Sequence, residues 1–270
     1  MELIPEKDFE VTCAGCGKKI RVKRRRFDEN MPEYDFNEVA LSVLEGNVPD
    51  LFFDPRWLGL EGQFISAPHI ERCEHCHYVN TNITKKLHDK VHILIQKPEY
   101  QNIFKSGYDD FQIHDWLAYL YLLDNYYFDE SAEEQENTKN YMYEFGTDTV
   151  FSSISGRKLI EIYSVAYLRL LDEIAQALEM ELTTEEKLYL EKTKSEYTLR
   201  FMHHLQKSWS LIDKLRLAEL YRRNGDFSKA SEIIAEIENN EESIFGMLRK
   251  QKELISNKDS TDDGFPYRVY

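Results

Sequence analysis

Cys13-Ala14-Gly15-Cys16-Gly17 and Cys73-Glu74-His75-Cys76-His77 contain every cysteine of this 270-residue chain. A two-residue gap lets both sulfurs of one turn face the same ion, and the amides of the turn can donate to those sulfurs. The position after the second cysteine favours a left-handed backbone. Gly17 takes that conformation freely, and histidine, as at His77, is among the non-glycine residues enriched there. The two segments read as one local structure used twice. The expectation is one structural zinc ion held tetrahedrally by Cys13, Cys16, Cys73 and Cys76. Paired cysteines in a reducing compartment favour metal over disulfides. A thioredoxin-like redox pair needs a strand-to-helix context that neither segment has, and a catalytic zinc needs a position open to water, which four cysteines close. His69, His75 and His77 sit near the second pair as supporting or solvent-facing groups.

Outward from the cysteines, residues 1–97 also hold five of the seven prolines, Pro5, Pro32, Pro49, Pro55 and Pro68. Partial alternation over Glu10 to Phe27, with Val11, Ile20 and Val22 as apolar points, predicts short strands. Strands are also expected at Gln63 to Ile65 and Tyr78 to Ile83. The stretch between the pairs, Gly17 to Arg72, is long for a simple ribbon. It is expected to fold around a helix at Asn37 to Glu45 and a cluster of Phe52, Phe53, Trp57 and Leu60.

From about residue 98 the period becomes helical. Phe111 to Phe128 is the first long helix expected, and Lys158 to Met180 the next, after Ser155-Gly156. Thr183 or Thr184, followed by Glu186 or Lys187, signals the N-cap of a helix running to about Ser208. Leu211 to Arg223 and Phe227 to Asn239 read as a hairpin broken at Asn224-Gly225-Asp226, and a last helix covers Glu241 to Ile255. Ser131 to Thr138 is a solvated helix end or loop. The tail from Ser256 carries Phe265, Tyr267 and Tyr270 and is either disordered or docked. The fold class is therefore α+β: a zinc-ribbon-like β module with an inserted helix over 1–97, a mainly helical bundle over 98–255, and a tail over 256–270.

The hairpin pattern Leu217-Ala218, Tyr221, Gly225-Asp226, Ala230 and Ile234 resembles one tetratricopeptide repeat. Small alanines let two helices approach, and Gly225 ends the first of them. Lys214, Ile237 and Glu242 depart from that family's preferred Trp, Ala and Pro. Together, the cysteine pairs and the Lys214 to Asp226 hairpin resemble an uncharacterised bacterial family with two C-x-x-C knuckles followed by tetratricopeptide-like helices. That family's second knuckle reads Val-Cys-Pro-His-Cys-Gly-Tyr-Ala, against Arg72-Cys73-Glu74-His75-Cys76-His77-Tyr78-Val79 here. Leu41 to Asn47 is similar to a short helix in another bacterial cysteine-pair domain. The resemblance implies architecture and carries no activity.

The net charge of -15 disfavours indiscriminate nucleic-acid binding. Lys18, Lys19, Arg21, Lys23, Arg24, Arg25 and Arg26 form a local basic run. Setting these seven aside moves the balance from -15 to -22 for the rest. The run is a candidate phosphate-backbone contact, but it lacks the interleaved aromatic platform of single-strand binders. Neutralisation against the acidic body, or a charged ribbon edge that blocks strand pairing, is the favoured reading.

No catalytic set emerges. Asp109-Asp110, Asp262-Asp263 and His203-His204 are adjacent and diverge. His88 and His92, with Asp89 between them, share a face whether the segment is helix or strand, but lack the glutamate of a metalloprotease helix. Ser153, Ser155 and Gly156 form no nucleophile elbow. Tyr119, Tyr121, Tyr126, Tyr127, Tyr141 and Tyr143 read chiefly as packing, and any exposed part would suit a protein partner. With a mean hydropathy of -0.58, no apolar leader and no run of about 18 apolar residues, a cytoplasmic protein without a membrane span is expected. The functional expectation is a non-enzymatic, zinc-stabilised scaffold or adaptor that engages another protein through its helical domain. The alternatives are a nucleic-acid-associated factor using Lys18 to Arg26, and an enzyme with a site in the helical domain.

Overall fold

The computed structural model describes residues 7–24, 70–80, 83–84, 87, 89–105, 112–126, 156–208, 211–238 and 245–260. Helices account for most of them, with two small antiparallel sheets near the start. The expected helix at 37–45, the Phe52 to Leu60 cluster, the strand at 63–65, the 131–138 loop and the aromatic tail residues lie outside the described residues.

Strands β1 (Lys7–Thr12) and β2 (Lys19–Arg24) pair with Phe9 opposite Val22 and Val11 opposite Ile20. The two-residue alternation of strands puts these four on one face, and Ile20 and Val22 are buried. The other face sets Asp8 opposite Lys23, Glu10 opposite Arg21 and Thr12 opposite Lys19. Strands β3 (Glu71–Arg72) and β4 (Val79–Asn80) repeat the arrangement in miniature. The strand expected over Tyr78 to Ile83 is thus only two residues long. Ile83 instead lies in a turn, with its N–H donating to the Glu71 carboxylate at 3.0 Å.

Helix α1 (Asp89–Gln96) settles the helix-or-strand ambiguity around His92 in favour of a helix, with Val91, Leu94 and Ile95 buried. Helix α2 (Pro98–Ile103) begins with Pro98 in the first turn, where its missing N–H costs nothing. Helix α3 (Ile113–Tyr126) is buried nearly all round, from Ile113 to Leu120 without a break. A helix buried on nearly all sides belongs at the centre of a core, and its buried Asp115 is paired with Arg72. Helix α4 (Gly156–Leu178) buries Ile160, Tyr163, Ala166, Tyr167 and Leu170 along one face.

Helix α5 (Thr184–Gln206) opens with a full capping box. Thr183 Oγ1 accepts from the Glu186 N–H at 3.2 Å, and the Glu186 carboxylate accepts from the Thr183 N–H at 2.8 Å. The expected start therefore falls on Thr183. Helices α6 (Leu211–Arg223) and α7 (Phe227–Glu238) form the expected hairpin, with Gly225 at φ 77° in the turn. They run antiparallel: Lys214 at the start of α6 pairs with Glu236 near the end of α7. Ala218 and Ala230 are fully buried between them. Helix α8 is Phe245–Ser256.

The chain divides into two compact units, Met1–Pro32 with Ser66–Glu173, and Glu33–Ile65 with Ile174–Tyr270. Helices α1 to α3 and most of α4 therefore share a unit with the cysteine strands. The second unit holds a buried charge cluster: Glu219, Arg222 and Gln251 are all 0% exposed. Glu219 accepts from Arg222 Nη2 and Gln251 Nε2, both at 2.7 Å, and from Arg223 Nε. Among the described residues, no helix is long and apolar enough to cross a membrane.

Candidate metal centre

Each cysteine pair occupies the turn of a β-hairpin, and the two turns share one hydrogen-bond pattern. Cys13 N–H donates to the Lys18 carbonyl at 2.9 Å, and Gly17 N–H to the Cys13 carbonyl at 2.8 Å. In the second turn Cys73 N–H donates to the Tyr78 carbonyl at 2.9 Å, and His77 N–H to the Cys73 carbonyl at 2.8 Å. Both turns place the residue after the second cysteine in the left-handed region, Gly17 at φ 72° and His77 at φ 58°.

The turns meet face to face. The sulfurs of Cys13, Cys16, Cys73 and Cys76 all lie within 4.8 Å of one another. Two contacts run across the turns: Cys13 to Cys76 at 3.7 Å and Cys16 to Cys73 at 3.6 Å. These are far beyond the roughly 2.05 Å of a disulfide, and all four cysteines are free. Gly15 marks the closest backbone approach. A Cβ there would sit 3.0 Å from Tyr78 Cβ and 3.1 Å from Cys76 Sγ. Gly15 N–H also donates to Cys13 Sγ at 3.2 Å. Cys13 and Cys73 are buried, whereas Cys16 is exposed.

The thiols are electrostatically unequal. The Cys13 thiol is held low, to about 5, by the hydrogen bond from Cys76 and by the turn amides. Cys76 is pushed well up by the same contact with Cys13 and by burial; burial pushes Cys73 up as well. Four thiolates this close repel one another, and a cation among them removes the repulsion. Among the described residues, these four are the group able to hold a metal ion. His75 and His77 stand outside it, and His69 lies outside the described residues.

Helix α2 buttresses the second turn, a feature the sequence reading missed. Tyr100 is fully buried and its hydroxyl donates to the His77 carbonyl at 2.7 Å. Gln101 Nε2 donates to the Cys76 carbonyl at 3.3 Å. Phe104 stacks on the His77 ring at 4.8 Å, and the Arg72 guanidinium lies over Phe104 while pairing with Asp115 on α3 at 3.2 Å. Burial and the Arg72 charge both push the His77 imidazole down, burial the more. The available signal was Pro98 followed by Tyr100 and Phe104, an aromatic pair at helical spacing.

The remaining candidates separate. Lys18, Lys19 and Arg21 are exposed, Lys23 and Arg24 complete β2, and Arg25 and Arg26 lie outside the described residues. Lys19 Nζ pairs with Glu10 at 2.6 Å, which holds that carboxyl below its ordinary range. Asp89 and His92 sit on α1, and His88 lies outside the described residues. The His203 and His204 rings are 6.1 Å apart between centroids. Tyr119 and Tyr126 are buried and Tyr121 is partly so. No family model, curated protein or solved structure matches this chain.

Proposed function

We propose that the four cysteines hold one structural zinc ion and that the chain acts as a non-enzymatic scaffold or adaptor for another protein. The sulfur geometry carries the metal reading. A tetrahedron with metal–sulfur bonds of about 2.3 Å has edges of about 3.8 Å, close to the 3.6 and 3.7 Å of the two cross-turn pairs. Four soft donors in a closed tetrahedral set suit zinc and leave no position for substrate or water. The ion would lock the two hairpins together, and its positive charge would stabilise the thiolates.

The adaptor reading draws on the helical residues. Leu188 and Leu199 on α5 are 69% and 65% exposed. They lie about three turns apart and so on one face. Exposed leucines in register suit contact with a protein surface. The α6–α7 hairpin, with Ala218 and Ala230 at its seam, supports the tetratricopeptide-like reading. Cross-strand pairing of Asp8 and Glu10 with the basic run favours a self-neutralised ribbon over a phosphate-binding one.

Elemental analysis of purified protein tests the metal: about one zinc per chain, lost in Cys73→Ser, is expected. No zinc together with freely titratable thiols would overturn it. For the adaptor reading, wild-type protein from a native lysate should elute with a stoichiometric companion that a Leu188→Glu/Leu199→Glu variant loses. Elution of both as the bare chain would sink that reading.

A further inference from the structure

The two cysteine turns differ in how they hold their left-handed residue. Gly17 pays no steric penalty at φ 72°, and a Cβ there would meet nothing within 4 Å. His77 adopts φ 58° with a side chain, a conformation disfavoured for residues other than glycine. The compensation comes from α2: the Tyr100 hydroxyl on the His77 carbonyl at 2.7 Å, the Gln101 amide on the Cys76 carbonyl at 3.3 Å, and Phe104 stacked on the ring at 4.8 Å with an 18° tilt. The first turn has a lighter tie, from Ala14 N–H to the Ile83 carbonyl at 3.0 Å.

We propose that α2 is a clamp on the second cysteine turn, so that metal occupancy and the docking of α2 are coupled equilibria. The inference rests on the reading of the four cysteines as a metal site, and it assigns Tyr100 and Phe104 as positioning residues for that site. Without the clamp, His77 relaxes toward an ordinary backbone conformation, and the Cys76 sulfur loses its aim. Without the ion, nothing ties the four sulfurs together, the turn opens, and Tyr100 loses its acceptor. Coupling between two equilibria is reciprocal: whatever α2 contributes to metal affinity, the metal returns to α2. Arg72 extends the link, because it precedes Cys73, lies over Phe104 and pairs with Asp115 at the start of α3.

The experiment uses the full chain, with zinc affinity measured by competition against a chromophoric chelator. Tyr100→Phe and Phe104→Ala should each weaken zinc binding about 10- to 100-fold, the range for groups that orient metal ligands. His77→Gly removes both the strain and the ring on which Phe104 stacks. It should bind zinc at least as tightly as wild type and make Phe104→Ala nearly silent. Hydrogen exchange supplies an independent reading: removing zinc should raise exchange over 98–105 while α6 and α7 stay protected. Wild-type protein that takes up no zinc would refute the metal reading itself. Wild-type protein that binds zinc, with both variants within twofold of it and 98–105 unchanged on zinc removal, would overturn the clamp alone.

Discussion

Cys13 Sγ lies 3.7 Å from Cys76 Sγ, although the two are 63 positions apart in the chain. Closing a loop of that length opposes folding entropically. The contact itself is also unfavourable once both groups are ionised, so they share a proton. The contact pushes the two thiols in opposite directions, Cys13 down to about 5 and Cys76 up.

That asymmetry predicts the protons that metal uptake expels. Cys73 and Cys76 are both pushed above the ordinary thiol range and are protonated in metal-free protein at pH 7, whereas Cys13 is already ionised. Zinc binding at pH 7 should release at least two protons. Affinity should fall as pH falls, and more steeply below about pH 5, where Cys13 also competes for a proton. Titration calorimetry in two buffers of different ionisation heat measures the count; release of clearly fewer than two protons would falsify this assignment.

Gly15→Ala tests the close approach of the two turns. Its Cβ would press to 3.0 Å from Tyr78 Cβ and 3.1 Å from Cys76 Sγ, so both must give way and the Cys76 sulfur shifts from its place. Zinc affinity should drop about tenfold or more. Gly17→Ala meets open space and should show only the strain of its left-handed backbone. Equal affinities for Gly15→Ala and wild type would count against this packing.

Glu219→Ala should be the most disruptive single change in the second unit. It takes from the Arg222 guanidinium, 0% exposed, its two-point carboxylate, leaving Asp259 with a carboxylate oxygen 3.9 Å away, and it takes an acceptor from Gln251. Removing one partner of a buried pair costs about 3–5 kcal/mol, whereas replacing both with apolar side chains is often near neutral. Denaturant unfolding should place Glu219→Ala well below wild type and Glu219→Leu/Arg222→Met between them. A double variant no better than the single one would refute the unpaired-charge explanation.

Ala218→Leu tests the α6–α7 seam. Ala218 and Ala230 are both 0% exposed, and the larger side chain must push the helices apart. Overpacking of this kind costs about 1–3 kcal/mol. The same substitution at Ser231, exposed on α7, should cost little; a matching loss there would show that the seam is not special.

Much of the secondary structure was legible because its signals are local. Thr183 with Glu186 announces a capping box, Asn224-Gly225-Asp226 a helix break, and Val11, Ile20 and Val22 a strand face, and each lies where the structure has the corresponding feature. The four cysteines were legible as one set because sulfur chemistry and two-residue spacing mark them wherever they occur. Val91 to Ile95 stayed ambiguous, since a short apolar run fits either period. Helix α2 was missed because six residues give too short a pattern to read.

The sequence by itself determined the local chemistry: which residues can ligate a metal, where helices begin, and which turn positions need a left-handed backbone. Those properties depend on side-chain type and spacing within a few residues. Only the tertiary structure decided that the Cys13 turn meets the Cys76 turn, and that Asp8 and Glu10 stand opposite the basic strand. It also decided that Tyr100 and Phe104 support His77, and that Glu219 gathers Arg222, Arg223 and Gln251. Apart from Glu219 with Arg222 and Arg223, which are neighbours on one helix, these relations join residues distant in the chain, and they arise because burial leaves each polar group to find a partner among whatever the packing brings near it.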